Sequence, residues 1–216
     1  RLAAQGKQLA AQHATALQAI EKELGVERHI LLAIWGRETA YGTYKLPHNL
    51  LRVLATQAYL GRRKDLFRTE LVIALKLIQD GALDPNAKAS WAGAVGLTQF
   101  LPSEFETLAI DMDRDGKKDI WNSMPDALAS AANQLKAKGW TSGQPWGYEI
   151  RLPPGGTCLY EGQPNTRPAR DWVASGITRI DGKRIPDKLL DAPAFILTPG
   201  GTYGPMFLVF ENFMVL

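Results

Sequence analysis

Residues 36–42 read GRETAYG and follow directly on an apolar run, HILLAIW. In a helix, Ile30, Ile34 and Glu38 stack on one face at intervals of four residues. The pattern predicts a helix that ends at Gly42 and places a carboxylate on a face that otherwise points into the core. Charged side chains are rarely placed there unless they are paired or take part in chemistry.

Glu38 has the setting of a general acid. It falls in the last turn of the predicted helix, where the negative end of the helix dipole disfavours an anion. Partial burial would act in the same direction, so we expect the protonated form to be favoured. A protonated carboxyl group can give its proton to a glycosidic oxygen. The alternative is a surface glutamate, or one paired with an arginine such as Arg37.

The composition is that of an ordinary globular protein of 216 residues, 45% hydrophobic and 22% charged. No run of about 18 apolar residues is present, so no transmembrane segment is predicted. The net charge of +3 fits an anionic partner such as a cell-wall polymer, and the lack of a long Lys/Arg block argues against nucleic acid. The single Cys158 excludes an intrachain disulfide and a Cys-based metal site. The first residue, Arg1, fits a processed or shortened chain.

Helical periodicity and turn signals divide the chain into two parts. Helices are predicted over residues 2–24, 27–41, 50–60, within 62–81, from a capping box at Ser103–Glu106, and over 125–138. From Trp146 onward Pro and Gly become frequent, a hairpin signal stands at Asp181–Gly182, and strand-like runs read YEIRL, TCLY, AFILTP and MFLVF. We predict an α+β, mainly α fold, with a helical domain over 1–146 and a β-rich lobe over 147–216.

A second stretch with functional character, SWAGAVGLTQFLPS, spans residues 90–103. Gly93 and Gly96 permit close backbone approach or unusual dihedral angles, and the small residues leave room for a ligand. The amide of Gln99 can both donate and accept hydrogen bonds, which suits a sugar or an N-acetyl group. The alternative is a tightly packed helix junction in which Gln99 bonds to the backbone.

A third stretch, DMDRDGKKDIWNSMPD over residues 111–126, has the spacing of an EF-hand-like loop. Its carboxylates would repel one another without a cation, which favours Ca²⁺. Position 12 is Asn122 rather than the usual bidentate Glu, so the loop would have to extend to residue 126 to close. The predicted ligands are Asp111, Asp113, Asp115, the Lys117 carbonyl, Asp119 and Asp126. The alternative is a solvated acidic turn in which Ser123 and Asp126 cap the next helix.

In this order and spacing, the three stretches together resemble the lytic murein transglycosylases of the B family. The family pattern G-x-E-T-x-x-G matches residues 36–42, and S-x-A-G-A-x-G-x-x-Q-F-x-P-S matches residues 90–103. The acidic loop matches D-x-[DS]-x-D-G, followed by Trp121 and Pro125–Ala127. The likeness is strong over residues 20–140 and looser beyond. It implies a goose-lysozyme-like helical core with a small C-terminal β-rich lobe.

Carried over residue by residue, the resemblance implies that Glu38 is the sole catalytic acid and base. It implies substrate contacts for Ser90 and Gln99, and it places Arg62 and Arg63 along the cleft. It also implies a structural Ca²⁺ in the acidic loop, with no cofactor required for the chemistry.

The sequence departs from the family pattern in two places. A tyrosine that follows Asn133 in some relatives is Gln134 here. The ending ENFMVL resembles a stretch that leads, in relatives, into a K/R-Y-N motif and a closing helix, and Leu216 comes before that motif. These departures put one substrate contact and one wall of the cleft in question.

Ordinary glycoside hydrolases use two carboxylates, and this sequence offers one in a suitable setting. The resemblance implies cleavage of the β-1,4 bond between N-acetylmuramic acid and N-acetylglucosamine without water, which leaves 1,6-anhydromuramyl ends. The alternatives are a hydrolytic muramidase, with Asp84 as a poor candidate for the second carboxylate, and a non-catalytic peptidoglycan-binding protein. The resemblance also implies a periplasmic location, and it leaves open a lipid anchor at the outer membrane in the full precursor and partners among other cell-wall enzymes.

Overall fold

The computed structural model describes residues 1–153 and 161–216 of the chain. These residues form two compact units, Arg1–Lys138 and Gly139–Leu216. The first unit is mainly helical and the second is built around a β-sheet, which confirms the predicted α+β, mainly α class. The functional domains predicted over 1–146 and 147–216 stay a prediction. In the two described ranges, no helix is both long enough and apolar enough to cross a membrane.

Helices supply most of the regular structure of the first unit. They are α1 (Leu2–Gln12), α2 (Ala14–Leu24), α3 (Arg28–Thr39), α4 (Leu50–Leu60), α5 (Lys64–Gln79), α6 (Pro102–Leu108) and α7 (Met124–Ala137). A short antiparallel pair joins β1 (His48–Asn49) to β2 (Lys88–Ala89). Gly25 ends α2 in the left-handed conformation, with φ of 73°, as its position after the last apolar residue predicts.

Helix α7 is the most buried helix of this unit. Residues 126–132 are all buried, as is Leu135. Four of these buried residues are alanine, whose small side chains allow neighbouring helices to approach closely. Helix α2 packs on α7 through Leu17 and Ile20, which are fully buried.

The helix predicted over residues 2–24 is interrupted at His13. This residue has φ of −110° and ψ of 24°, so α1 ends and α2 begins on either side of it. Both halves contact α3, and α2 in addition packs on α7. The break at His13 depends on these long-range contacts, which a sequence period alone does not reveal.

The predicted capping box at Ser103–Glu106 is wrong. Helix α6 begins at Pro102, and Glu104 accepts the backbone N–H of Leu101 at 3.1 Å. The hydroxyl and backbone N–H of Ser103 donate to the two carboxylate oxygens of Glu70, at 2.6 and 2.9 Å. Glu70 is 2% exposed on α5, so a buried carboxylate on another helix takes the place of the local cap.

The second unit is a five-stranded antiparallel sheet in the order β4-β6-β7-β3-β5. Its strands are β3 (Gly147–Arg151), β4 (Arg167–Pro168), β5 (Thr178–Arg179), β6 (Pro193–Leu197) and β7 (Met206–Val209). The helices α8 (Ala169–Ala174) and α9 (Glu211–Val215) belong to the same unit. Trp172 is 1% exposed, packs in the core beside Leu208, and donates its indole N–H to the Ala194 carbonyl at 2.8 Å.

Three of the strand-like runs form strands, since YEIRL, AFILTP and MFLVF correspond to β3, β6 and β7. The predicted run TCLY, with Cys158, lies outside the described residues. The hairpin predicted at Asp181–Gly182 is wrong, because β5 pairs with β3 and no strand follows the turn. Beyond the turn Ile185 enters the core of the unit, which draws the chain away from the sheet edge.

Candidate active site

Glu38 lies in the last turn of α3, as predicted. Its side chain is exposed, so the expected partial burial is wrong. The face that Glu38 shares with Ile30 is buried at its start, half-buried at Ile34 and open at its end. Helix α3 instead buries the neighbouring stripe that ends at Thr39. Within the described ranges the Glu38 carboxylate has no hydrogen bond or ion pair, so the alternative of a pair with Arg37 is not realised.

Thr39 fixes the helix end that carries Glu38. Its hydroxyl donates to the Leu97 carbonyl at 2.8 Å and accepts the backbone N–H of Gly42 at 3.1 Å. The residue is 2% exposed. One buried side chain therefore joins the end of α3, the turn that follows it, and the loop over residues 90–100.

The turn after Glu38 has an unusual backbone. Ala40 and Tyr41 both lie in the left-handed region, with φ of 48° and 59°. Such conformations cost free energy for residues with a Cβ atom, and they cluster at functional sites. The Tyr41 ring turns back over α3, where a Cβ atom on Gly36 would come within 2.6 Å of it. This contact explains why glycine stands first in the GRETAYG stretch.

The loop over residues 90–100 is closed by its own backbone. Ser90 N donates to Ala94 O at 2.8 Å, and Val95 and Phe100 exchange two hydrogen bonds at 2.8 and 2.9 Å. The Ser90 hydroxyl oxygen accepts the Ala94 N–H at 3.2 Å, which leaves its own O–H available to a ligand. A Cβ atom on Gly93 would meet a Leu54 methyl group at 2.6 Å, so the predicted close approach is confirmed there.

Gln99 also lies in the left-handed region, with φ of 60°. Its amide nitrogen donates to the Gly96 carbonyl at 3.0 Å, which agrees with the alternative of a backbone-bonded glutamine. Its amide oxygen has no partner among the residues that the structure describes, and the side chain is half-buried. The structure therefore leaves one acceptor for a substrate hydroxyl or N-acetyl N–H.

A cleft of about 1370 Å³ borders the same helix end. Thr39, Gly42 and Leu97 line it, but Glu38 does not. Asp84 also lines this cleft, and its carboxylate accepts the backbone N–H of Asn86 at 2.7 Å.

Arg62 and Arg63 are exposed in the turn between α4 and α5. Among the described residues neither guanidinium has a carboxylate partner within ion-pair distance. Both cations are therefore available to an anionic ligand. Their predicted place along the substrate cleft stays a prediction.

The acidic loop brings three of its predicted ligands together. Carboxylate oxygens of Asp111, Asp113 and Asp115 lie within 4.8 Å of one another. The loop backbone turns inward on them: Gly116 N donates to Asp111 at 2.9 Å and Lys117 N donates to Asp115 at 2.8 Å. Three oxygens at this separation are a donor set that suits Ca²⁺.

Asp126 and Asp119, the other two predicted aspartate ligands, accept hydrogen bonds from the loop backbone. Asp126 is fully buried, and its two oxygens accept the backbone N–H groups of Met112, Asp113 and Asp119 at 2.7, 3.3 and 2.9 Å. Asp119 accepts the N–H groups of Trp121 and Asn122, both at 2.9 Å. This geometry favours a positioning role for both residues, and their part as ligands stays a prediction. The Ser123 hydroxyl accepts the Asp126 N–H at 3.3 Å and caps α7, which agrees with that part of the alternative. Asp126 itself binds the loop backbone and does not cap the helix as the alternative expected.

The family model described as "Transglycosylase SLT domain" matches residues 1–216, the whole chain. The chain belongs to this family. The membrane-bound lytic murein transglycosylase B of Escherichia coli (strain K12) is 37% identical over 134 residues, which are 61% of this chain and 37% of that protein. The predicted resemblance is therefore confirmed.

Solved structures of transglycosylases have the same fold. SltB3 from Pseudomonas aeruginosa, in complex with NAG-NAM-pentapeptide, has a TM-score of 0.92 and 42% identity, over 99% of this chain and 57% of that one. Escherichia coli Slt35, in complex with calcium, has a TM-score of 0.81 and 28% identity, over 97% of this chain and 65% of that one. These likenesses confirm the lysozyme-like class of the fold. The chain spans between about one third and two thirds of the length of these relatives.

Two residues beside Glu38 and Ser90 have contacts that the sequence pattern does not predict. The Thr39 hydroxyl bonds to the backbone of Leu97, and the Trp91 carbonyl accepts a hydrogen bond from Gln57. Trp91 is also 72% exposed, which is unusual for so large a side chain. Both partners lie far away in the sequence, so helical periodicity gives no signal for either contact.

Proposed function

We propose that this SLT domain cleaves peptidoglycan strands without water, between N-acetylmuramic acid and N-acetylglucosamine. The observation that carries the proposal is Glu38, an exposed carboxyl group with no protein partner in the described ranges, on a helix end fixed by Thr39. The full-length family match and the complexes of SltB3 with NAG-NAM-pentapeptide and NAG-anhNAM-pentapeptide support it.

Glu38 acts twice in this reaction. As an acid it gives its proton to the oxygen of the β-1,4 bond, and the bond from that oxygen to C1 of the muramyl sugar breaks. The resulting carboxylate then takes the proton of the C6 hydroxyl of the same sugar. Oxygen O6 forms a bond to C1, which gives the 1,6-anhydro ring and returns Glu38 to its acid form. Atoms and protons balance, and no water is consumed.

A single carboxylate suffices for this route, whereas a hydrolase of the usual kind needs two. Asp84, the candidate for a second carboxylate, already accepts the Asn86 N–H and lines a cleft that Glu38 does not line. Among the described residues, no contact places a second carboxyl group beside Glu38, so the route with one carboxylate is favoured over the hydrolytic alternative.

The loop over residues 90–100 is suited to orient the sugar. The Ser90 hydroxyl can donate a hydrogen bond and the Gln99 amide oxygen can accept one, and Thr39 ties this loop to the Glu38 helix. We infer that Ser90 and Gln99 bind the N-acetylmuramyl unit, and that Arg62 and Arg63 contact anionic groups further along the strand. Preorganised contacts of this kind lower the activation free energy by fixing the reacting atoms.

The acidic loop fits a calcium ion, because carboxylate oxygens of three aspartates converge there within 4.8 Å of one another. Asp111, Asp113 and Asp115 would hold the ion, with the Lys117 carbonyl, Asp119 and Asp126 as predicted further ligands. When bound, the ion supplies charge neutralisation and order to the loop and takes no part in the reaction. The complex of Slt35 with calcium supports this assignment.

We further infer that the helical part, 1–146, carries catalysis and that the β-rich part, 147–216, assists substrate or partner binding. A peptidoglycan substrate implies a periplasmic location. The membrane-bound name of the Escherichia coli relative supports a place at the cell envelope.

The test is to incubate the protein with purified peptidoglycan and measure the products by mass spectrometry. We expect muropeptides lighter by one water than hydrolytic products, and a loss of activity of about 10²- to 10⁴-fold in Glu38→Gln. Glu23→Gln, an exposed glutamate on α2, is the matched control and should retain full activity. Full activity in Glu38→Gln, or hydrolytic products from the wild type, would overturn the proposal.

A further inference from the structure

Trp91 presents a large apolar surface to solvent from within the candidate site. It follows Ser90 directly, and 72% of the residue is exposed. By contrast Trp35, Trp140 and Trp172 are 8% exposed or less. The residues after Trp91 in its loop, Ala-Gly-Ala, are too small to cover an indole ring.

The backbone that carries Trp91 is fixed on both sides. Gly93 N donates to Ser90 O at 3.0 Å, which closes a tight turn around the residue. The Trp91 carbonyl itself accepts the side-chain N–H of Gln57, a residue of α4, at 3.3 Å. The close approach of Gly93 to Leu54 holds the loop against the same helix. The ring is thus exposed because the loop geometry places it there.

Two exposed arginines follow the helix to which the Trp91 backbone is bonded. Gln57, which donates to the Trp91 carbonyl, lies near the end of α4, and Arg62 and Arg63 follow in the turn after that helix. Neither arginine has a carboxylate partner among the described residues. An exposed aromatic face on a loop bonded to this helix, with unpaired cations at the helix end, matches a ligand with apolar C–H faces and anionic substituents.

We propose that the indole face of Trp91 is a stacking surface for a pyranose ring of the glycan strand. A pyranose presents C–H groups on its face, and burial of an aromatic side chain against such a surface is favourable. The anionic peptide stems of the strand then lie toward Arg62 and Arg63. This inference rests on the proposed function, because it takes the strand as the ligand.

Binding is measured with an N-acetylglucosamine tetramer, which contains no muramyl sugar and is therefore not a substrate. We expect the tryptophan emission of the wild type to move to shorter wavelength on titration. Trp91→Ala should lose this shift and weaken the affinity measured by calorimetry about tenfold. Trp91→Phe should lose the shift but keep most of the affinity, since a ring remains.

Tyr59→Ala is the matched control, because Tyr59 is an aromatic residue on α4 that is 77% exposed. It should leave both the shift and the affinity unchanged. Absence of tetramer binding to the wild type, or equal affinity in Trp91→Ala, would overturn the inference.

Kinetics on peptidoglycan separate this inference from the proposed function. Trp91→Ala should raise KM about tenfold with little change in kcat, because stacking acts on binding of the strand. Cleavage by the wild type with an unchanged KM in Trp91→Ala would overturn the stacking surface and leave the function standing. Tetramer binding through Trp91 in a protein that releases no anhydro products would support the stacking surface and overturn the proposed function.

Discussion

The end of α3 and the acidic loop over residues 111–126 both present carboxylates to solvent. Each is organised by one buried polar side chain. Thr39 joins the end of α3 to a neighbouring loop, and Asp126 accepts three backbone N–H groups within the acidic loop. The two regions differ in the number of carboxylates that they bring together. Glu38 is a single carboxylate, whereas three carboxylates of the acidic loop converge within 4.8 Å.

The number of carboxylates that lie together determines whether a region is suited to proton transfer or to metal binding. A lone carboxyl group without an ion-pair partner can gain and lose a proton during a reaction. Three converging carboxylates repel one another and call for a cation, so they are poor proton carriers and good ligands. The same device, a buried polar anchor beside exposed acids, therefore supports catalysis in one region and ion binding in the other.

The largest change in stability is expected at Asp126. Asp126→Ala leaves three backbone N–H groups without their acceptor, which should lower the free energy of unfolding by about 3 kcal/mol or more. Asp126→Asn keeps one acceptor oxygen and should lose less. Chemical denaturation of both variants checks this, and equal stability of Asp126→Ala and the wild type would contradict the anchoring role.

Calcium should stabilise the protein through the exposed acids of the same loop. At a concentration about 100 times its Kd, the ion should add about 2.7 kcal/mol and raise Tm by about 5–10 °C. A chelator should reverse this rise, and Asp113→Asn should abolish it. Thermal scans with and without calcium provide the measurement, with Asp65→Asn, an exposed acid on α5, as the control.

At the end of α3, Thr39→Val removes one donor and one acceptor without a change in shape. The Leu97 carbonyl and the Gly42 N–H lose their partner, so we expect about 1–3 kcal/mol of destabilisation. Since the helix end also carries Glu38, kcat should fall about tenfold at a temperature where the variant remains folded. Thr39→Ser restores both hydrogen bonds and should recover kcat. Destabilisation with an unchanged kcat would reduce Thr39 to a structural role.

The smallest effect is expected outside both regions, at an exposed acid that has a cation partner. The Arg179 side chain, hydrogen-bonded to Asp181 at 2.9 Å, lowers the pKa of that carboxyl below its ordinary value of 3.8. A lowered pKa in the folded state adds stability above the unfolded pKa, and this stability is lost as the pH falls through the folded value. The small Tm difference between the wild type and Asp181→Asn should therefore shrink as the pH falls below 3.8, and it should vanish once the pH lies below the lowered pKa of the folded state. A difference that grows in acid would contradict it.

Local patterns predicted the helices well, and long-range contacts account for what they missed. The apolar run before Glu38 located α3, because this signal is local. The predicted end at Gly42 is wrong, since α3 ends at Thr39 and the left-handed conformations of Ala40 and Tyr41 follow it. The exposure of Glu38 depends on which stripe of α3 meets its neighbours, and the partner of Ser103 is Glu70, far along the chain. The role of Asp126 also depends on long-range contacts. Its spacing in the sequence suggested a metal ligand, whereas in the structure it is buried and accepts hydrogen bonds from the loop backbone.

The most direct test of the account is to run the cleavage in water labelled with heavy oxygen. If Glu38 alone serves as acid and base and O6 of the muramyl sugar is the nucleophile, the new muramyl ends should carry no label. Mass spectrometry of the released muropeptides decides the outcome. Label at the muramyl C1 would show that water attacks, which would contradict the single-carboxylate mechanism and require a second group beside Glu38.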